Sequence, residues 1–425
     1  MNTNRRIFIK SLSVGLVGSL FDPAKLSAAK VDSIPAYSSA SREHYWEAIR
    51  SQYPLLHEPV YLNTGGLGPV PQCVHNAVVS TMTHLQEHCE TGHTLFEPAR
   101  SDMAQFLGVK SNEISFVRNA SEANSIIASG LRLKAGDEVI FDTHAHPGGS
   151  YPWLIQAKQS GVVVKLFEPD ATSPEANIKL IRSLITNKTK VIQVSHITCT
   201  TGLIMPVKRI AALAKETGVW FHIDGAQAVG MIPVNISDIG CDSYAASGHK
   251  WIGGPHETGV LYIKQSNIEK IAMVEVGAYS GKIKMLPGDL MLEPSTMRHE
   301  YGTRNAALVV GLQRSVSFQN EIGRERIANR GKELASILID SFSKMNDIKI
   351  LTPRDNEMRA SITTIQHPRA TAEGFFEYLQ KKKKLRCRLV SEQGLRALRI
   401  STHIMNSPEE CERVIAGVHA SLKDL

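Results

Sequence analysis

The sequence predicts an α/β fold with a mostly parallel sheet covered by helices on both faces, and three observations lead there. Strand-length apolar runs at 114–117, 161–167, 219–223 and 258–263 are interleaved with helical patterns at 72–107 and 178–186. Those runs are apolar throughout rather than alternating, as strands buried on both faces are. At 425 residues the chain is long enough for two domains, each with its own core.

The chemistry concentrates at 219–264, which reads VWFHIDGAQAVG and, after a spacer, DSYAASGHKWIGGPHETGVLYIK. The apolar run 219–223 ends in Asp224, followed by Gly225, Ala226 and Gln227. This is a buried strand presenting an acid at its carboxyl end, where open α/β sheets place their ligands. Residues 242–247 repeat the pattern. Gly248 turns the chain, His249 and Lys250 follow, and a Gly-Gly-Pro break precedes the next strand. One acid and one amine therefore sit at the ends of two strands.

Pyridoxal phosphate needs both groups. Its aldehyde condenses with a lysine amine, and its ring nitrogen must stay protonated to accept electrons from a carbanion. Asp224 suits the nitrogen, Gln227 can donate to the ring's phenolate oxygen, and Ser247 and His249 flank the lysine within reach of a phosphate. Taken singly, Asp224 is a helix cap and Lys250 a solvated lysine. A D-x-x-Q turn and an S-x-H-K turn on successive strands have no structural reason to co-occur, which favours the cofactor.

The runs HIDGAQAVG, SGHKWIGGP and TGVLY resemble the class V aminotransferase group of fold-type I pyridoxal-phosphate enzymes, in particular its isopenicillin N epimerase-like branch, and the resemblance extends over about 61–406. It implies Lys250 as the cofactor lysine, Asp224 on the pyridine nitrogen and Gln227 on the phenolate. It also implies a large cofactor-binding domain at 63–303 and a smaller α+β domain made of 42–62 and 304–425.

Residues 1–29 carry Arg5, Arg6, Lys10 and Lys25 against Asp22, then a modest apolar stretch and small residues up to Ala28 and Ala29. They resemble a twin-arginine signal, which makes the translocase a partner and the periplasm the expected compartment. Removing them takes away three net positive charges and leaves about +4 of the formal +7. That balance suggests no nucleic-acid partner, and no run approaches a membrane span. The six cysteines are scattered without a C-x-x-C, so buried thiols are expected rather than a disulfide framework.

In chain order, a polar linker at 30–41 leads to an amphipathic helix at 42–53. VYLNTGGLGPVP is a strand entering a glycine-rich turn, and in the resembled family Asn63 and Thr64 lie beside the substrate. After strand 114–117, RNASEANSIIASGL offers Asn119 or Ser121 as an N-cap. A helix starting right after a strand gives free N–H groups and a positive dipole end. The family's N-A-[ST]-E-A loop assigns Ala120 and Ser121 to the phosphate.

AHPGGSYPW resembles the family loop that places His146 over the pyridine ring, where it blocks one face and passes protons. The H-x-H spacing of His144 and His146 lacks a third ligand, so no metal is expected. Residues 191–207 read as a strand whose end carries Thr198, which the resemblance places near the phenolate. Gly302 and Thr303 precede a long helical pattern running toward Phe342. In relatives this Gly-Thr reaches the neighbouring subunit's phosphate site, which implies a homodimer with shared active sites, whereas a plain N-cap needs no partner. Near the end, LRALRISTHIMNSPEE holds Arg396 and Arg399, and the family pattern implies that Arg399 clamps a substrate carboxylate, for which its fork is suited.

The expected substrate is an amino acid, or an amino-bearing natural product with a carboxylate. Lys250 removes a proton from the amino-bearing carbon, and the outcome is epimerisation, transamination or elimination. Cys387 lies ahead of Arg399 but lacks the flanking His and Pro of desulfurases, which disfavours sulfur transfer. Tailoring of a siderophore side chain and a non-catalytic cofactor-binding protein are the remaining alternatives.

Overall fold

The computed structural model describes residues 34–425, so the twin-arginine segment and the first residues of the linker lie outside the described residues. Seven strands, β1 (Ile114–Val117), β2 (Glu138–Asp142), β3 (Val163–Phe167), β4 (Thr189–Ser195), β5 (Trp220–Asp224), β6 (Ser243–Ser247) and β7 (Gly259–Ile263), form one sheet in the order β1-β7-β6-β5-β4-β2-β3. Pairing from β3 through β6 is parallel, and β7 runs against both β6 and β1. The link from β6 to β7 is too short for a helical crossover, so the chain folds back on itself there. Strands β5 and β6 are buried almost throughout, as their unbroken apolar runs require.

The longer helices are α1 (Arg42–Arg50), α2 (Gln72–His88), α3 (Phe96–Leu107), α4 (Ala120–Gly130), α5 (Pro147–Ser160), α6 (Pro174–Leu184), α7 (Val207–Thr217), α8 (Ala306–Ile322), α9 (Arg324–Phe342) and α10 (Pro408–Asp424), and those from α2 to α8 flank this sheet. Three expectations need correction. The helical span 72–107 is two helices, and the long pattern before Phe342 is split at Gly323 into α8 and α9. The helix on each side of either break buries apolar side chains of its own, so the sequence pattern alone does not mark the break. Residues 191–207 are also not one strand: β4 stops at Ser195, and the chain turns back to bridge Ile197 with Ile204.

A second sheet has the order β8-β9-β11-β10, formed by β8 (Lys349–Ile350), β9 (Ile362–Gln366), β10 (Arg388–Val390) and β11 (Ala397–Ser401), antiparallel throughout. Leu334, Leu338 and Phe342 of α9 and Val414 and Val418 of α10 pack on it with Ile365, Leu398 and Ile400. Val60–Tyr61 pairs in parallel with Leu385–Arg386, which ties the segment after α1 to this unit. Helix α8 packs instead on α2 and α3, sharing the core of the large sheet. No helix among the described residues is long and apolar enough to cross a membrane.

Two glycines fix the approach of the chain to the sheet ends. A Cβ on Gly68 would lie 1.8 Å from the backbone oxygen of Lys250, and the Gly68 N–H donates to His249 O at 2.8 Å. The glycine-rich turn at 65–68 thus presses on the lysine loop itself. A Cβ on Gly225 would sit 2.0 Å from the Tyr244 ring, so the turn after Asp224 requires glycine.

Candidate active site

Strands β5 and β6 end side by side, with Asp224 in register with Ala245 and with Ser195 of β4. Asp224 closes β5 and Lys250 follows β6 by three residues, so both emerge at one edge of the sheet. A cavity of ≈ 260 Å³ opens there, and Ala120, Ser121, His146, Asp224, Gln227, Ser247, His249, Lys250 and Arg399 all line it. The parallel topology gathers the residues that follow the large-sheet strands, because it brings the carboxyl ends of successive strands to one rim, and Arg399 enters from the antiparallel small sheet.

Lys250 is half-buried, and its amine has no hydrogen-bond partner among the described residues. Burial holds it below the ordinary lysine range, against the opposing pull of Asp224. Asp224 is held by two donors, Ala226 N–H at 3.0 Å and Asn124 Nδ2 at 3.1 Å. Behind it runs a chain of bonds in which each role is determined. Asn124 donates to the carboxylate, so its Oδ1 accepts from His222 Nε2 at 2.8 Å. His222 Nδ1 must then accept from Ser243 Oγ at 2.8 Å, and Ser243 in turn accepts from Trp220 Nε1 at 2.9 Å. Burial pushes His222 down to about 4, so the ring is neutral, as this chain demands.

Gln227 is fixed by the Trp251 indole, which donates to Oε1 at 2.8 Å, and by its own Nε2, which donates to Gly65 O at 2.8 Å. These two bonds fix which end of the amide is nitrogen, and Nε2 keeps one hydrogen to donate to a phenolate. His146 caps α5 by accepting from Gly148 N–H on Nδ1 at 3.0 Å. Its Nε2 consequently carries the hydrogen in the neutral ring, and burial, helped by Lys250, favours that neutral form.

The phosphate end is equally specific. Asn119, not Ser121, caps α4, accepting from Glu122 N–H at 3.0 Å. Ser247 Oγ takes the Ala120 N–H at 3.2 Å. Ser121, in the first turn of α4, is left with its hydroxyl and N–H for a ligand, where the helix dipole favours an anion. The Nδ1 of His249 is buried without a partner, and burial with the charge of Lys250 lowers that ring to about 4. A free amine, a fixed acid, a side-chain donor and an unfilled helix N-terminus in one cavity fit an aldehyde-bearing pyridine with a phosphate ester.

Arg399 is 1% exposed, and its guanidinium donates to Cys199 O at 2.7 Å and Asn63 Oδ1 at 2.9 Å. No carboxylate pairs with it among the described residues, and its Nε is buried without a partner. Burial, and then Arg388, push it down to about 10. A buried cation held only by neutral oxygens suits an incoming carboxylate. Arg396, by contrast, is exposed.

Four expected residues are not brought to the cavity wall, among them Thr64, which is fully buried with its hydroxyl on Met405 Sδ at 3.7 Å. Asn63 acts behind Arg399, as its hydrogen-bond partner. Thr198 is fully buried and spent in its own turn, its Oγ1 bonded to Thr201 Oγ1 at 2.9 Å and accepting from Leu203 N–H at 3.0 Å. Thr303 is exposed and lines a different depression with Arg118, Glu122 and Tyr301. His144 pairs with Glu168 at 3.0 Å.

The structure adds residues that the motifs did not disclose: Asn124, His222, Trp251 and Arg388. His222 carried a signal, since it shares a strand face with Asp224 two positions on. Replacing His222 with leucine is expected to strand Asn124 Oδ1 and loosen Asp224, weakening cofactor affinity about tenfold, roughly the worth of one buried hydrogen bond. Absorbance after exhaustive dialysis measures this, and unchanged retention would show that Asp224 holds its place unaided.

The chain matches the family described as Aminotransferase class-V over residues 71–414. It is 31% identical over 317 residues to a probable cysteine desulfurase of Methanothermobacter thermautotrophicus, spanning 71% of this chain and 77% of that one. It is 26% identical over 395 residues to the isopenicillin N epimerase of Streptomyces clavuligerus, spanning 88% and 98%. Among solved structures, the apo cysteine desulfurase of Thermococcus onnurineus NA1 superposes with a TM-score of 0.80 at 25% identity, covering 89% of this chain and 98% of that one.

Proposed function

The chain belongs to the class V aminotransferase family of pyridoxal 5′-phosphate enzymes, and from that premise we propose that it acts at the amino-bearing carbon of an amino acid or amino-acid-derived molecule. The observation that carries the proposal is the pairing, in one cavity, of an unpartnered Lys250 amine with a fixed Asp224 carboxylate and the uncompensated Arg399. The cofactor supplies an electron sink for bond breaking at that carbon.

The residues divide the remaining work. Ser121, Ser247 and His249 hold the phosphate, with the Ala120 N–H fixing Ser247 Oγ, Asp224 keeps the ring nitrogen protonated, and Gln227 donates to the phenolate. Arg399 orients the substrate through its carboxylate. Lys250, whose amine burial favours in the neutral form, takes the proton from the amino-bearing carbon and returns one. His146 bears its hydrogen on Nε2, the correct tautomer for a donor opposite Lys250. Incubation with a panel of amino acids followed by mass spectrometry tests the proposal. Inversion, a keto acid or an eliminated fragment each supports it, and no change with any amine refutes it.

The named relatives raise sulfur transfer as a second reading, but the cysteines disfavour it. No cysteine lines the cavity among the described residues. Cys387 is 4% exposed in the small-sheet core, and burial pushes its thiol up to about 12. Cys199, beside Arg399, is likewise buried and raised. Neither thiol is poised as a nucleophile.

The Arg5-Arg6 signature supports a periplasmic location reached by twin-arginine export, where an exported siderophore side chain is a fitting substrate. We also propose a homodimer. Val276, Met285, Leu286 and Met291 are 54–82% exposed, a run of apolar side chains that a second subunit would cover, with Thr303 supplying its neighbour's phosphate site.

A further inference from the structure

The cavity contains a second arginine that the reaction described so far does not employ. In the small sheet Arg388 of β10 lies directly opposite Arg399 of β11. Residues opposite one another on antiparallel strands project from the same face, and both arginines line the cavity. Like charges so placed work against the sheet. Arg388 depresses the Arg399 guanidinium, and its charge also reaches His146 and Lys250, so it stands near the reacting end of the site.

Among the described residues, one carboxylate answers these two cations. Glu392 pairs with Arg388 through Nη2; burial alone would raise its carboxyl, but that bond, a backbone N–H and the charges of Arg388 and Arg399 together bring it below its ordinary range. Each arginine nevertheless keeps a buried nitrogen without a partner, Nε of Arg399 and Nη1 of Arg388. The planar fork explains how Arg388 can do two things at once: Nη2 stays on Glu392 while Nη1 remains free to donate. A substrate with one carboxylate would satisfy Arg399 and leave Arg388 Nη1 dry and unpaired.

We propose that Arg388 binds a second anionic group on the substrate side chain, so that this enzyme selects amino acids whose side chain ends in a carboxylate or a like-charged acid. The inference deepens the proposed function and rests on Arg399 as the site of the first carboxylate. Charge-assisted bonds from a buried arginine are the strong kind, and leaving a buried donor unmade is the costly alternative.

The test uses the cofactor-loaded protein and two probes of equal carbon number, glutarate and pentanoate, titrated calorimetrically. Glutarate is expected to bind at least about tenfold more tightly, the worth of one charge-assisted bond. Arg388→Gln should erase that difference while keeping pentanoate affinity within about twofold, which also shows that the variant is folded. Arg388→Lys should retain part of it, and Glu392→Gln, which frees Arg388 from its competitor, should tighten glutarate further. Equal affinities in the unaltered protein, or discrimination that survives in Arg388→Gln, would overturn the subsite. Pentanoate binding that is indifferent to Arg399→Gln would overturn the carboxylate role of Arg399, and the subsite with it.

Discussion

Lys250→Ala is expected to leave the fold intact, eliminate covalent capture of the cofactor and lower turnover by at least about a thousandfold, because one side chain supplies both the attachment point and the proton-transferring base. The amine has no hydrogen bond to lose, and the backbone contact of the loop with Gly68 does not involve the side chain. Melting temperature should therefore change little. Borohydride reduction followed by peptide mapping reads the covalent link directly, with the label expected on the peptide containing residue 250. A label elsewhere, or full turnover in the variant, would remove the foundation of the proposed chemistry. The same experiment run across pH should show capture persisting to lower pH than an ordinary lysine, near 10.4, would allow, because burial depresses the amine.

Asp224→Asn is expected to bind cofactor yet turn over about a hundred- to a thousandfold more slowly, since an amide preserves the shape of the acid but cannot keep the ring nitrogen charged. The carboxylate accepts from Asn124 Nδ2, and an asparagine can still do so with its oxygen. Retained cofactor with lost activity is the pattern that distinguishes an electronic role from a structural one. If the variant keeps most of its rate, the ring is being protonated from somewhere else. Loss of the cofactor altogether would instead assign Asp224 to binding.

Much of the site was legible because its residues sit in short local signals. A strand that ends in an acid and a turn that carries a lysine each announce themselves within a few residues, and Asp224 and Lys250 came from such signals, whereas the helix start after β1 offered Ser121 only as an alternative cap and the family loop gave it the phosphate. Arg399 was visible only through the family pattern, and its neighbour Arg388 was not visible at all. Opposition of the two across β10 and β11 is a matter of strand register, set by the turn between them rather than by either residue. Asn124 and His222 stayed hidden for a related reason, since 98 positions separate partners that touch. Thr198 misled because its turn satisfies its hydroxyl locally, and a hydroxyl spent on its own backbone looks the same in sequence as one spent on a ligand. The breaks after His88 and at Gly323 were missed because periodicity reports which face is buried and says little about where a helix stops.

The bonded row behind Asp224 has one further consequence. Its far end is an indole, which can only give a hydrogen, and its near end is an amide nitrogen, which can only give one too. Every link is thus polarised the same way, and reversing it would require the asparagine and the imidazole to turn over together inside a packed sheet. The row therefore holds hydrogens pointed at this carboxylate from behind and favours its charged form there, while Asp224 also lines the cavity wall in front.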